Sequence, residues 1–402
     1  MESHGVARVR RIRSEKQRQQ DLEKIDKYRA LEGQLRQQIA DSLFNPDTFD
    51  LTTKLLRINP EYYTIWNVRR RCLISGLLSK PLAGSLPSTE SPNSSANAIP
   101  TTSSAESLPS SSTATLPDPG HPTTGTSGTT PDVSTQDRDT LRAELGFTVP
   151  LLIEHPKCYW IWNYRLWILA EAVDRLPTTE ARRIWLEELG LVGKMLQKDQ
   201  RNYHAWAYRR NVVAKLESPA LQGESMVESE FAQTTSMIRG NLSNFSAWHS
   251  RSQLIPRLLE ERKADHAARQ KFLDQELDQI RNALNVDPTD QSLWFYHQYL
   301  MLNLIEQPEK MAIAPELSVA ERESYLLREI EEIVDLLDDY QDTKWIYEAL
   351  VEYTVALGKI HSRDPNAEEL NKVASWLQSL RALDPKRNGR WSDLETQLGL
   401  KP

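Results

Sequence analysis

Five tryptophans keep a period, and that period constrains the fold more than any other feature. Trp66, Trp162, Trp206, Trp248 and Trp294 follow one another at steps of 96, 44, 42 and 46 residues. Counted from the indole, position −3 is aromatic in four copies (Tyr63, Tyr159, Tyr203 and Phe245). Position +3 is arginine in four (Arg69, Arg165, Arg209 and Arg251) and His297 in the fifth. Proline stands at −6 in the first, second and fifth copies, as Pro60, Pro156 and Pro288. A repeat of about 40 residues in a helical sequence means stacked helical hairpins, each unable to bury its apolar face alone.

The long first step has its own cause. Residues 79–136 contain 38 Ser, Thr, Pro or Gly among 58 and no aromatic residue. Such a segment cannot bury enough apolar surface to offset chain entropy, so it is expected to be a disordered insert between two helices. A tolerated insertion is preferred to a phosphorylated regulatory loop. Removing its 58 residues turns the step of 96 into 38 and restores the period.

The remainder reads as helix. Residues 14–42 form a charged, solvent-exposed helix, amphipathic at its C-terminal half. Residues 179–198 and 321–338 carry apolar side chains at helical spacing. The segments 47–57, 139–154, 179–198, 223–240 and 264–286 supply the first helix of each hairpin. Weaker copies follow around Lys344-Trp345 and at Asp384-Pro385 to Trp391. Period-two alternation is not sustained anywhere, so the expected fold is all-α. Its architecture is an α-α superhelix, a crescent of stacked hairpins. Residues 1–46 form a basic arm and helix, while 47–78 and 137–402 make one solenoid. Positions −3, 0, +3 and +4 are placed on one face. The aromatic and the indole are expected to bury against the neighbouring hairpin, and the arginine to bond polar groups of the next repeat.

Composition removes other classes. Lys plus Arg is 49 against 56 Asp plus Glu, a net charge of −7, which argues against nucleic-acid binding. The two cysteines, Cys72 and Cys158, make no disulfide framework. No apolar run is long enough to span a bilayer, and the ends carry no secretory or lipidation signal. The expectation is a soluble, cytoplasmic chain with no stable membrane insertion.

The pattern Pro-x-x-Tyr-x-x-Trp-x-x-Arg at this period resembles the repeat of protein prenyltransferase α subunits. Asn244-Phe245-Ser246-Ala247-Trp248-His249-Ser250-Arg251 and the copy from Asp287 to His297 resemble the Rab geranylgeranyltransferase (type II) α subunit most. The early His4-Gly5-Val6 is similar to its start. The chain departs from that family in its insert, and it lacks the arginine after Trp294, where the resemblance implies that relatives carry histidine too, as His297 does here. It also ends soon after the last repeat, without immunoglobulin-like or leucine-rich-repeat additions, which implies a compact form of fungal or protist type.

The resemblance implies a chemistry. Such α subunits wrap a prenyltransferase β subunit that holds a catalytic zinc; magnesium is a further ion the reaction could use. The complex transfers geranylgeranyl from geranylgeranyl diphosphate to C-terminal cysteines of Rab GTPases, which a Rab escort protein presents. Lys157, Tyr203 and His204 match positions near the diphosphate in relatives. Lysine is a point charge for phosphate, and tyrosine and histidine donate hydrogen bonds.

Packing competes with this reading for Tyr203, which shares the −3 place. Lys157 stands where other copies have Glu61, Arg201 and Ser243, and His204 where they have Thr64, Trp160 and Ser246. The repeat therefore demands neither. His155 and Cys158 fall short of a zinc site. His249 and His297 are read as hydrogen-bonding core residues, and His4 and Arg8 to Arg13 as a solvated arm. Two rivals stay open: an α subunit serving farnesyl and type I geranylgeranyl transfer to Cys-a-a-X proteins, and a noncatalytic helical-repeat scaffold.

Overall fold

The structure is a computed structural model that describes residues 14–80, 133–306 and 312–400. His4, the basic arm and residues 81–132 of the insert lie outside the described residues. Fifteen α-helices and no strand occur among the described residues. They are α1 (Glu15–Ala40), α2 (Pro46–Ile58), α3 (Tyr63–Cys72), α4 (Val133–Glu154), α5 (Tyr159–Arg175), α6 (Thr178–Lys198), α7 (Tyr203–Leu216), α8 (Val227–Gly240), α9 (Phe245–Glu261), α10 (His266–Val286), α11 (Gln291–Ile305), α12 (Val319–Asp335), α13 (Lys344–Ile360), α14 (Ala367–Leu383) and α15 (Asn388–Gln397). A π-helical turn, Leu73–Leu77, continues α3. The chain divides into two compact units, Met1–Trp185 and Leu186–Pro402.

Each hairpin is built by the same local rules. The first helix ends before the residue at −6, and the second begins at −3. At the turn of the first copy, Pro60 cannot continue a helix, and its carbonyl accepts the Trp66 indole N–H at 2.8 Å. Trp162, Trp206, Trp248 and Trp294 donate in the same way to Pro156, Gln200, Leu242 and Pro288, at 3.0, 2.9, 2.8 and 2.7 Å. All five indoles are buried. The conserved feature of the turn is thus a carbonyl at −6, which any residue supplies, and proline is optional.

The −3 aromatics do not bury. Tyr63 is 53%, Tyr159 45%, Tyr203 73% and Phe245 44% exposed. The expectation that they pack with the indole is wrong, for a geometric reason. The buried stripe runs through −1, 0, +2, +3 and +6, and at 100° per residue its centre lies roughly 150° from −3. Position −3 is the first residue of the second helix, and it faces out.

Three of the four +3 arginines reach the next repeat as expected, and Arg165 donates to the Leu145 carbonyl and the Thr148 hydroxyl on α4 of its own hairpin. Arg69 lies on α3 and forms a two-pronged ion pair with Glu144 of α4, at 2.6 and 2.7 Å. Arg251 of α9 does the same to Glu276 of α10, at 2.7 and 2.6 Å. Arg209 of α7 reaches Glu230 of α8, at 2.7 and 2.5 Å. In the fifth copy His297 meets Glu329 of α12 at 3.2 Å and the Tyr353 hydroxyl at 2.9 Å. Each pair ties one repeat to the first helix of the next.

A tyrosine at +2 completes the clamp. Tyr164 donates to Glu144 at 2.6 Å and Tyr296 to Glu276 at 2.5 Å, both buried and both twenty residues after their glutamate. Tyr208 donates to Glu188 at 2.6 Å with the same offset. Stacking accompanies the bond: the Trp66–Tyr164 and Trp248–Tyr296 ring centroids are 4.6 and 4.5 Å apart.

The sixth copy is registered differently from expectation. Helix α13 starts at Lys344, so the indole position falls on Tyr347, whose hydroxyl donates to Gln341 six residues back at 2.9 Å. Trp345 takes the half-buried −2 place instead. The expected helix at 139–154 also begins earlier, at Val133, because buried Asp137 accepts from the Ser79 backbone N–H at 2.9 Å and anchors the added turn. The last repeat closes on Tyr347, Val351, Val373, Leu377, Leu380 and Trp391.

Candidate functional site

Because −3 opens the second helix of every hairpin, the residues from −5 to −2 line the turns. All three candidate residues occupy such places. Lys157 lies in the first unit, in the turn between α4 and α5, and is exposed. Tyr203 and His204 lie in the second unit, as the first two residues of α7.

The Lys157 turn is held from below. The buried Cys158 thiol donates to the Pro60 carbonyl at 3.5 Å, so the turn rests on the preceding hairpin. Burial pushes that thiol up to about 11, which keeps it neutral and makes it a poor metal ligand. Cys158 is also the N-cap of α5 and makes no side-chain cap, so the first-turn amides of α5 are not covered by it. Lys157 has no hydrogen-bond or ion-pair partner among the described residues. A lysine beside an uncapped helix N-terminus concentrates positive potential, which suits phosphate oxygens.

Aromatic rings flank the lysine. Tyr159 and Trp160 lie edge to face at 5.2 Å, and Trp160 meets Tyr63 of the preceding turn at 5.3 Å. Asn163 reaches the Tyr159 hydroxyl at 3.4 Å and accepts from Arg70 at 2.8 Å. In the second unit, Tyr203 and His204 lie edge to face at 5.7 Å, with Asn202 capping α7. Tyr203 is the most exposed large aromatic of the repeat, so core packing does not account for it. In the same unit Phe245, Phe295 and Trp345 form a row of their own at spacings of 6.0 and 6.1 Å.

Tyr159, which the pattern reading assigned to packing, is the exposed first residue of α5, and Trp160 beside it is half-buried. A signal was available: Asn202 and Asn244 at −4 are N-cap residues, which makes −3 the helix start rather than a buried turn. The weaker histidine readings divide. His297 is fully buried and bonded, as expected. His249 is exposed and stacks on Phe245 at 6.1 Å, so it is not a core residue. Among the described residues no three His, Cys, Asp or Glu side chains gather where they could hold a metal ion. No helix of the described residues is long and apolar enough to cross a membrane.

Known proteins carry the same repeats. The family model for the protein prenyltransferase alpha subunit repeat matches residues 46–75, 141–172, 185–216, 227–258 and 273–304, which follow the first five hairpins. The geranylgeranyl transferase type-2 subunit alpha of Saccharomyces cerevisiae is 31% identical over 302 residues, 75% of this chain and 72% of that one. Its Schizosaccharomyces pombe counterpart is 29% identical, with 98% of each chain covered, and that of Candida albicans 27%, with 97% and 96% covered. In fold the chain is similar to Candida albicans protein geranylgeranyltransferase-I complexed with GGPP, at a TM-score of 0.53 and 17% identity over 93% of this chain and 91% of that one. Repeat pattern, hairpin geometry and sequence identity together place the chain in the family of geranylgeranyl transferase type-2 α subunits.

Proposed function

We propose that this chain is the α subunit of a heterodimeric type II protein geranylgeranyltransferase. With a β subunit it supports transfer of geranylgeranyl from geranylgeranyl diphosphate to C-terminal cysteines of Rab GTPases presented by an escort protein in the cytoplasm. The observation that carries the reading is the exposed, unpartnered Lys157 at an uncapped helix N-terminus, in a chain whose relatives over most of its length are type II α subunits.

The reaction breaks an allylic C–O bond and leaves negative charge on diphosphate. Donors fixed where that charge grows lower the barrier. Lys157 supplies a full charge there, and the Tyr203 hydroxyl and a His204 ring N–H supply hydrogen bonds. Zinc, held on this reading by the β subunit, would supply a Lewis acid that favours the deprotonated, nucleophilic form of the acceptor thiol. The buried, neutral thiols of Cys72 and Cys158 do not fit the role of its ligands.

The test is reconstitution with a β subunit. Transfer to a Rab ending in two cysteines, dependent on the escort protein, supports the reading; transfer only to a Cys-a-a-X peptide replaces it with the type I activity. Absence of any β partner in the native complex replaces it with a scaffold. Lys157→Ala is expected to lower kcat by about 10-fold or more, the scale of a lost transition-state donor. Heterodimer yield stays unchanged. An equal loss of assembly makes Lys157 structural.

A further inference from the structure

The clamp that joins the repeats lacks its tyrosine after two glutamates: Glu329, which is followed by Ala349 and is held by Arg281 and His297, and Glu230. Glutamates 144, 188 and 276 each accept a hydrogen bond from a tyrosine twenty residues later. Glu230 has the same place in its repeat, and twenty residues on stands Ser250. The hydroxymethyl of serine cannot reach across a space that tyrosine fills elsewhere. A cavity of about 310 Å³ opens there, lined in part by Trp206, Arg210, Glu230, Ser250, Gln253 and Leu254. Roughly half that volume suffices to hold a benzene ring.

Four residues lining this cavity, Trp206, Arg210, Glu230 and Gln253, have counterparts that touch a tyrosine in another repeat. Trp66 stacks on Tyr164 and Trp248 on Tyr296, and Trp206 takes the same position toward the cavity. The Arg70 guanidinium lies 5.7 Å from the Tyr164 ring centroid, and Arg210 is its equivalent at +4. Trp167 and Tyr299 pack beside Tyr164 and Tyr296, each at 5.7 Å. Gln253 replaces them here, is exposed, and leaves that side open to solvent. Arg209 already holds Glu230 by both oxygens, so the carboxyl is fixed in place with lone pairs left to accept from a phenol.

We propose that this cavity is a docking site for a tyrosine side chain presented by a partner polypeptide. The ring would stack on Trp206 beneath Arg210, and the hydroxyl would donate to Glu230. The site supplies from outside the contact that the other repeats make from within. No covalent step is involved.

The experiment uses the purified heterodimer and N-acetyl-tyrosinamide as probe, read by saturation-transfer NMR. Expected results are binding in the millimolar range to the wild type and to Ser250→Ala. Affinity falls at least 10-fold in Ser250→Tyr, whose new side chain occupies the cavity and raises Tm. N-acetyl-phenylalaninamide, which lacks the hydroxyl, binds several-fold more weakly. Leu254→Trp plugs the same cavity from α9 and serves where Ser250→Tyr does not fold; it too is expected to abolish binding. The proposal is overturned by no binding to the wild type, by equal binding of the two probes, or by binding that survives a folded plug variant.

Discussion

Tyr164, Tyr296 and Tyr353 hold their protons far above the ordinary tyrosine range, because burial disfavours a phenolate and a glutamate charge lies close by. Such residues act as permanent donors. Glu329 is the opposite case. Burial alone would raise its carboxyl, but hydrogen bonding to His297 and the charges of Arg281 and Arg328 outweigh it and hold it below the usual range. A carboxyl depressed in the folded state stabilises fully above its unfolded value, about 4.3, and loses that contribution as pH falls through the folded value. Thermal melts of wild type and Glu329→Gln are therefore expected to differ by a constant Tm gap from pH 8 to about pH 5 and to converge below about pH 4. A gap that widens in acid would contradict the assignment.

At the scale of the helix pair, stability between repeats rests on the Arg–Glu–Tyr clamp. Removing the arginine leaves a buried glutamate charge without its partner, which costs about 3–5 kcal/mol, whereas replacing both partners costs less. Arg251→Ala is expected to lower stability by that amount in denaturant titration, and Arg251→Ala with Glu276→Gln to recover part of it. Equal losses in the single and double variants would mean that the glutamate charge left behind carries no penalty. The clamp also marks what the sequence could tell. Tryptophan and arginine spacing located the first five hairpins, because the helix period is written in the single chain. The direction of the −3 aromatics did not, because an outward aromatic and a buried one are the same letter until the helix start is fixed. Tyr347 was missed for a related reason: Trp345 drew the alignment, yet the bond to the carbonyl at −6 needs only a donor, which a phenol also supplies. Lys157 and His204 were legible as departures from the repeat, while the uncapped end of α5 needed backbone geometry.

For the molecule as a whole, the question is how a repeat fold admits a polar segment as long as a repeat between two of its helices. The structure answers at the segment's edges. Ser79 bonds Asp137 through its backbone N–H at 2.9 Å and through its hydroxyl, and Arg175 donates to the Ser79 carbonyl. Asp137 and Arg175 are buried, and Arg175 is held in turn by Glu171 at 2.9 Å. The chain is thus pinned where it leaves the hairpin stack and where it returns, so closing the loop costs little more for a long segment than for a short one. Replacing residues 81–132 by about six Gly/Ser residues, enough to bridge two pinned ends, is expected to leave Tm and heterodimer formation unchanged. Asp137→Ala in the full chain removes the pin itself and is expected to lower stability by about 1–3 kcal/mol, the cost of leaving a buried donor unsatisfied. Size-exclusion chromatography with the β subunit and denaturant titration read both variants. If the shortened chain fails to assemble while Asp137→Ala is silent, the segment itself, rather than its pinned ends, supports the fold.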